Sequence, residues 1–229
     1  MSQSRPETWR PMAFSDRPAR EIRNVIAEPH WGGYRGLAHV SGPEVSIRDV
    51  DGDEYLGLDQ LRAALAEANL ALELLLDGYV VPGPLPTGEG TAKPIDLEST
   101  PTASEMARHL VLPGGGRDSR RDAYERAMGT HREPLDPEGE AAFIAMDLLW
   151  LDGEPLLQLP LLERRRLLES ALGESDVVRR NVVVRPPVEA WYGQWKALGF
   201  VEFAVKDANS RYVPGGVSRE WTIARIPKR

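Results

Sequence analysis

The pattern of apolar and polar positions over Tyr34 to Val40 (YRGLAHV) and Glu44 to Val50 (EVSIRDV) predicts two short strands joined through Ser41-Gly42-Pro43. Asp51-Gly52 predicts a further tight hairpin before DEYLGL. Between residues 59 and 70, Leu61, Ala64, Leu65 and Ala68 recur at helical spacing, so a short amphipathic helix is expected there. Residues 71–81 (ALELLLDGYVV) read as a strand interrupted by a turn at Asp77-Gly78. The apolar run AAFIAMDLLWL at 141–151 predicts a strand buried on both faces, ended by a turn at Asp152-Gly153. A helix follows over Leu161 to Leu172, with leucines expected on one side and Arg164, Arg165 and Arg166 on the other. The last third reads as strand 177–184, helix 188–199, strand 200–206 and a strand around 219–226. Trp191, Tyr192 and Trp195 of that helix are expected to face the core.

Proline and glycine punctuate the remainder. Prolines 6, 11, 18 and 29 make residues 1–30 an extended polar arm in which no core is expected. Pro82 to Pro94 reads as a surface loop, and two helices, 102–112 and 120–128, flank Pro113-Gly114-Gly115-Gly116, which no helix tolerates. The sum is an α+β domain over 31–229, with antiparallel sheets and helices packed outside them.

Composition narrows the function classes. The chain has 229 residues and no cysteine, so disulfides, thiolate metal sites and cysteine nucleophiles are excluded. No apolar run approaches the roughly 18 to 20 residues of a membrane span, and a soluble, cytoplasmic protein is expected. The net charge of −7 opposes a uniformly basic nucleic-acid binder, although residues 179–229 carry an excess of positive charge. Of the 28 basic residues only Lys93, Lys196, Lys206 and Lys228 are lysines.

Several local motifs fail on their chemistry. GPLPTGEGTAK (83–93) has Glu89 where a phosphate loop needs lysine, and its prolines remove amide donors. Asp49, Asp51, Asp53 and Glu54 lack the glycine position of a calcium loop and read as a solvated hairpin tip. His30, His39, His109 and His131 have no metal-ligand spacing, so no metal site is expected. Gly114 to Gly116 with Arg117, Arg120 and Arg121 offer an anion nest, for which a solvated basic helix start is the plainer reading.

A pattern spanning nearly the whole chain carries more. Glu28-Pro29-His30-Trp31-Gly32-Gly33-Tyr34-Arg35 resembles the E-P-K-x-D-G-Y-R motif of ATP-dependent DNA ligases. Ser46 to Gly52 resembles the arginine-bearing hairpin after it, Leu76-Asp77-Gly78-Tyr79 the L-D-G-E turn, and Ala142 to Leu168 the F-D-L-L-W-L-D-G segment with its following helix. Gly199 to Lys206, Tyr212 to Gly215 and Trp221 to Arg225 are similar to E-G-x-V-x-K, Y-x-P-G and W-x-K-x-K. The resemblance implies a nucleotidyltransferase fold. It also implies ATP or another nucleotide with Mg as cofactor, and a site including Glu28, His30, Arg35, Arg48, Tyr79, Met146 and Lys206.

Residue by residue, that site departs from the family. The lysine that forms lysyl-AMP is replaced by His30, and the carboxylates of the first motif and of the L-D-G-E turn by Gly32 and Tyr79. Met146 stands for the ring expected on adenine, with no π-face. Val201 stands for the metal-binding glutamate; Glu202, one residue later, is expected on the opposite strand face. The lysines of W-x-K-x-K become Ile223 and Arg225. Arg35, Arg48, Asp147 and Lys206 match, and Arg35 and Lys206 are the expected remaining phosphate contacts. The chain stops after the last motif, so an OB domain is not expected.

Three functions stay open. The leading one is a catalytically degenerate module that binds a nucleotide, a nucleic-acid end or a protein partner as a scaffold or regulator. The second is altered nucleotidyl chemistry through His30. The third is a ligase using Lys93, Lys196 or Lys228.

Overall fold

A computed structural model describes residues 6–83, 85, 127–129 and 140–228. The expected loop after Pro82, the first expected helix of 102–112, the glycine cluster, His109 and His131 lie outside or almost entirely outside these residues. Ala127 and Met128 form the described end of the second expected helix, and Gly129, at φ 66°, adopts the left-handed conformation that stops one.

The described residues form two sheets. One has the order β1-β10-β9-β2, formed by β1 (Ala13–Ser15), β2 (Val25–Pro29), β9 (Glu202–Asp207) and β10 (Val217–Arg225). The other has the order β4-β3-β5-β6-β7, formed by β3 (Tyr34–Ser41), β4 (Glu44–Arg48), β5 (Glu73–Pro82), β6 (Ala141–Leu151) and β7 (Glu154–Pro155), with β8 (Val178–Arg180) also on β6. The architecture is α+β, and most ladders are antiparallel as expected. The pairings β1 with β10 and β6 with β8 are parallel. Helix α1 (Asp59–Ala68) packs Leu61, Leu65 and Ala68 on the outer face of the larger sheet. Helix α2 (Leu161–Ala171) contributes Leu168 and Ala171 to that outer core and Leu161 to the core between the sheets. The short helix α3 (Tyr192–Ala197) covers the outside of the smaller sheet, where Trp195 packs 5.8 Å from Phe203; Trp195 is buried, whereas Trp191 is exposed at the surface. No helix among the described residues is long and apolar enough to cross a membrane.

Three expectations are corrected. Residues 6–30 do build core: Trp9, Met12, Phe14 and Ile26 are buried between the sheets, and β1 and β2 are strands of the smaller sheet. The prolines there sit where no ladder amide is needed, so they did not prevent pairing. Asp77-Gly78 is not a turn, because β5 runs straight through it with Gly36 opposite Gly78. A Cβ on Gly78 would lie 2.3 Å from the Ile144 carbonyl oxygen, so glycine there serves a close backbone approach. Finally, α2 does not divide leucine from arginine: Arg164 and Arg165 are buried and only Arg166 of the three is exposed.

Candidate functional site

The two sheets meet where the chain passes from β2 to β3. Gly32 and Gly33 adopt φ 64° and 81°, and a Cβ on Gly33 would stand 2.6 Å from the Val80 carbonyl oxygen. Only glycine allows so tight a passage. Along β2, strand alternation sends Ile26 into the space between the sheets and Ala27 into the outer core. Glu28 shares the inward parity, and on β9 so do Ala204 and Lys206, which stand opposite Ile223 and Trp221 of β10. Glu202 also shares it; its carboxylate lies 3.8 Å from Arg225, while Val201 is 43 % exposed ahead of the strand.

On the facing sheet, a β-bulge sets the opposite wall. Asp77 pairs with Asp147 and Gly78 with Ala145, so β6 carries Met146 as an extra residue. Two residues against one turn both Met146 and Asp147 toward the inter-sheet space, on the side of Tyr79 and Asp77.

The charges in this space neutralise one another. Arg35 is 0 % exposed and donates from Nε and Nη2 to the two Asp77 oxygens, both at 2.7 Å. Nη1 also donates to the Met128 carbonyl at 3.1 Å and Nη2 to the Met12 carbonyl at 3.2 Å. Burial alone would lower the Arg35 guanidinium, but the Asp77 carboxylate reverses this and holds it above its ordinary value. Tyr212 donates its hydroxyl to Asp77 at 2.7 Å and accepts from the Met12 amide at 2.8 Å. Arg164 from α2 grips Asp147 in the same two-pronged way, at 2.8 and 2.6 Å. Such forks hold the Arg35 and Arg164 guanidinium groups in a fixed geometry and commit most of their donors inside the protein.

Lys206 is equally committed. Its ammonium is ion-paired with Glu28, lies 4.2 Å from the Trp221 ring centre and 4.0 Å from the Met146 sulfur. Burial pushes Lys206 below its ordinary value, opposed by Glu28. Glu28 has a second cation, Arg165, at 3.9 Å.

His30, 4 % exposed, is packed edge-on against Tyr79, 5.5 Å between ring centres, and Phe14, 6.2 Å. Burial raises the Tyr79 hydroxyl well above its ordinary value. Glu28, His30, Arg35, Tyr79, Met146 and Lys206 are thus brought to one region, all buried. Arg48 is not; from the edge strand β4 it donates to the carbonyls of Glu7 and Pro6, and burial beside Arg10 lowers it. Among the described residues no three His, Asp or Glu side chains are grouped to hold a metal.

Asp77, Tyr212 and Trp221 lay inside the motifs read from the sequence, but as landmarks without a role. Phe14 and the arginines of α2 were missed altogether. The sequence signal for the arginines was their interruption of a leucine stripe.

The comparisons with known proteins agree with this layout. A family model described as the ATP dependent DNA ligase domain matches residues 19–223, and the chain belongs to that family. It is 25% identical over 229 residues to the multifunctional non-homologous end joining protein LigD of Mycolicibacterium smegmatis, covering 97% of this chain and 24% of that protein. It is 28% identical over 184 residues to a DNA ligase of Methanothrix thermoacetophila, covering 71% of this chain and 33% of the relative. The chain therefore spans about a quarter to a third of the length of these relatives. The solved ligase domain of M. tuberculosis LigD superimposes with a TM-score of 0.62 at 23% identity, over 96% of this chain and 60% of that one. A mycobacterial DNA ligase D complexed with ATP and MES gives the same TM-score at 22% identity, over 96% and 61%. The fold is that of a ligase nucleotidyltransferase domain.

Proposed function

We propose that this domain is a catalytically degenerate ligase-like module that acts by binding or scaffolding. The observation that carries the reading is the engagement of Arg35 with Asp77 and of Lys206 with Glu28, both fully inside the protein. The two cations best placed to meet a phosphate are neutralised by the fold itself. To recruit them, a nucleotide would have to break buried ion pairs, and leaving a buried carboxylate unpaired costs about 3–5 kcal/mol.

ATP with magnesium, which the family implies, does not fit the residues present. His30 stands where the nucleophilic lysine is expected and is packed among aromatic rings. Gly32, Tyr79 and Val201 replace the carboxylates. Parts of one catalytic unit do not compensate for one another, so their joint loss is expected to cost several orders of magnitude in ligation rate. The surface left to act is the exterior, whose basic C-terminal third suits an acidic protein or a nucleic-acid end. Thermal unfolding with ATP, GTP and a short nicked duplex tests this. No nucleotide is expected to raise Tm. A saturable rise with ATP that is lost in Lys206→Met contradicts the reading.

A further inference from the structure

Residues 127–129 reach into the region just described, from a part of the chain that no family motif claims. Met128 is buried, and its carbonyl accepts from Arg35 at 3.1 Å. Gly129 follows at φ 66°, so close to the cleft that a Cβ there would stand 2.5 Å from the Tyr79 hydroxyl oxygen, 2.8 Å from His30 Cε1 and 3.1 Å from Ile223 Cδ1. These three atoms belong to both sheets. The backbone of Gly129 is therefore wedged between the two walls.

We propose that Met128 and Gly129 form an internal plug in which the chain's own backbone fills the inter-sheet cleft at His30 and Tyr79. The Arg35 guanidinium supplies its anchor, since Nη1 donates to the Met128 carbonyl while Nε and Nη2 hold Asp77. Glycine is what lets the plug seat, because it has no side chain to strike Tyr79 and accepts the left-handed conformation without strain. Anything that acts on His30 must first displace this segment. The inference concerns access to the cleft and stands whether or not the cleft takes a nucleotide.

The experiment is carbethoxylation of the whole chain by diethyl pyrocarbonate, followed site by site by mass spectrometry. His39, on β3 and partly exposed, is the internal reference. In the wild-type chain His30 is expected to react far more slowly than His39. In Gly129→Val the branched side chain cannot fit against Tyr79 and His30, so His30 is expected to speed up by roughly tenfold or more with His39 unchanged, as for a local opening. Met128→Asp, which sets a carboxylate in a buried position, is expected to do the same. A folded variant in which His30 stays as slow as in the wild type overturns the proposal. So does loss of folding in both variants, which makes the segment ordinary core rather than a plug. Neither outcome bears on ATP binding, so this inference and the proposed function fail separately.

Discussion

Asp77 and Asp147 stand directly opposite each other on β5 and β6, and each is clasped by its own arginine, Asp77 by Arg35 and Asp147 by Arg164. Like charges facing across a ladder are destabilising unless neutralised. The two forks remove that penalty, and they tie β3 and α2 to the centre of the larger sheet. Arg35 is thus a structural residue of the inter-sheet core.

Removing one member of such a pair strands a buried charge. Asp77→Ala and Arg35→Ala should each lower the unfolding free energy by about 3–5 kcal/mol in a denaturant titration. The double variant Arg35→Met, Asp77→Leu should recover much of that loss, because apolar replacement of a whole buried pair is often neutral or better. Single variants within about 1 kcal/mol of wild type would mean that Arg35 is free to serve a ligand.

Gly78 should tolerate no side chain. Its Cβ would meet the Ile144 carbonyl oxygen at 2.3 Å and the Phe143 ring at 2.7 Å. Gly78→Ala therefore forces β5 and β6 apart, a cost of about 3 kcal/mol. For a domain of this size that lowers Tm by about 8 °C. Gly42→Ala, with nothing within 4 Å of its Cβ, serves as the control for a left-handed glycine at an open turn.

Alkali should destabilise the protein through its buried phenols. Burial raises Tyr79 and Tyr212 above their ordinary value of 10.0, and Asp77 adds to both. The folded state then keeps protons that the unfolded chain releases, so this stability is intact below pH 10 and falls as pH rises above it. Each tyrosine contributes a slope of about 1.4 kcal/mol per pH unit. Lys206, pushed down by burial, acts in the opposite sense below 10.5, so the phenol limb is read above that pH. Urea titrations between pH 10.5 and 12 should show a shallower fall for Tyr79→Phe than for the wild type; an equal slope would refute the assignment.

The fold was largely legible from the chain. Periodicity and turn residues located β3, β4, α1, β6 and the pair β9 and β10, since each is specified by neighbours in sequence. The misreadings share a physical cause, namely partners far along the chain. Asp77-Gly78 has turn chemistry, and only Arg35 and the Ile144 backbone make it strand. Arg164 and Arg165 read as solvated until Asp147 and Glu28 are opposite them. Phe14 sits in a proline-rich stretch, and its burial depends on Trp221, 5.9 Å away at the other end of the chain. The ligase pattern names the candidate positions, but it does not reveal that the charges of Arg35 and Lys206 are paired inside the protein.

The central claim is that this ligase fold no longer forms a covalent nucleotide intermediate, and intact mass measurement tests it most directly. After incubation with labelled ATP or GTP and magnesium, the chain is expected to keep its unmodified mass. A gain of one nucleoside monophosphate that disappears in His30→Ala would contradict the account.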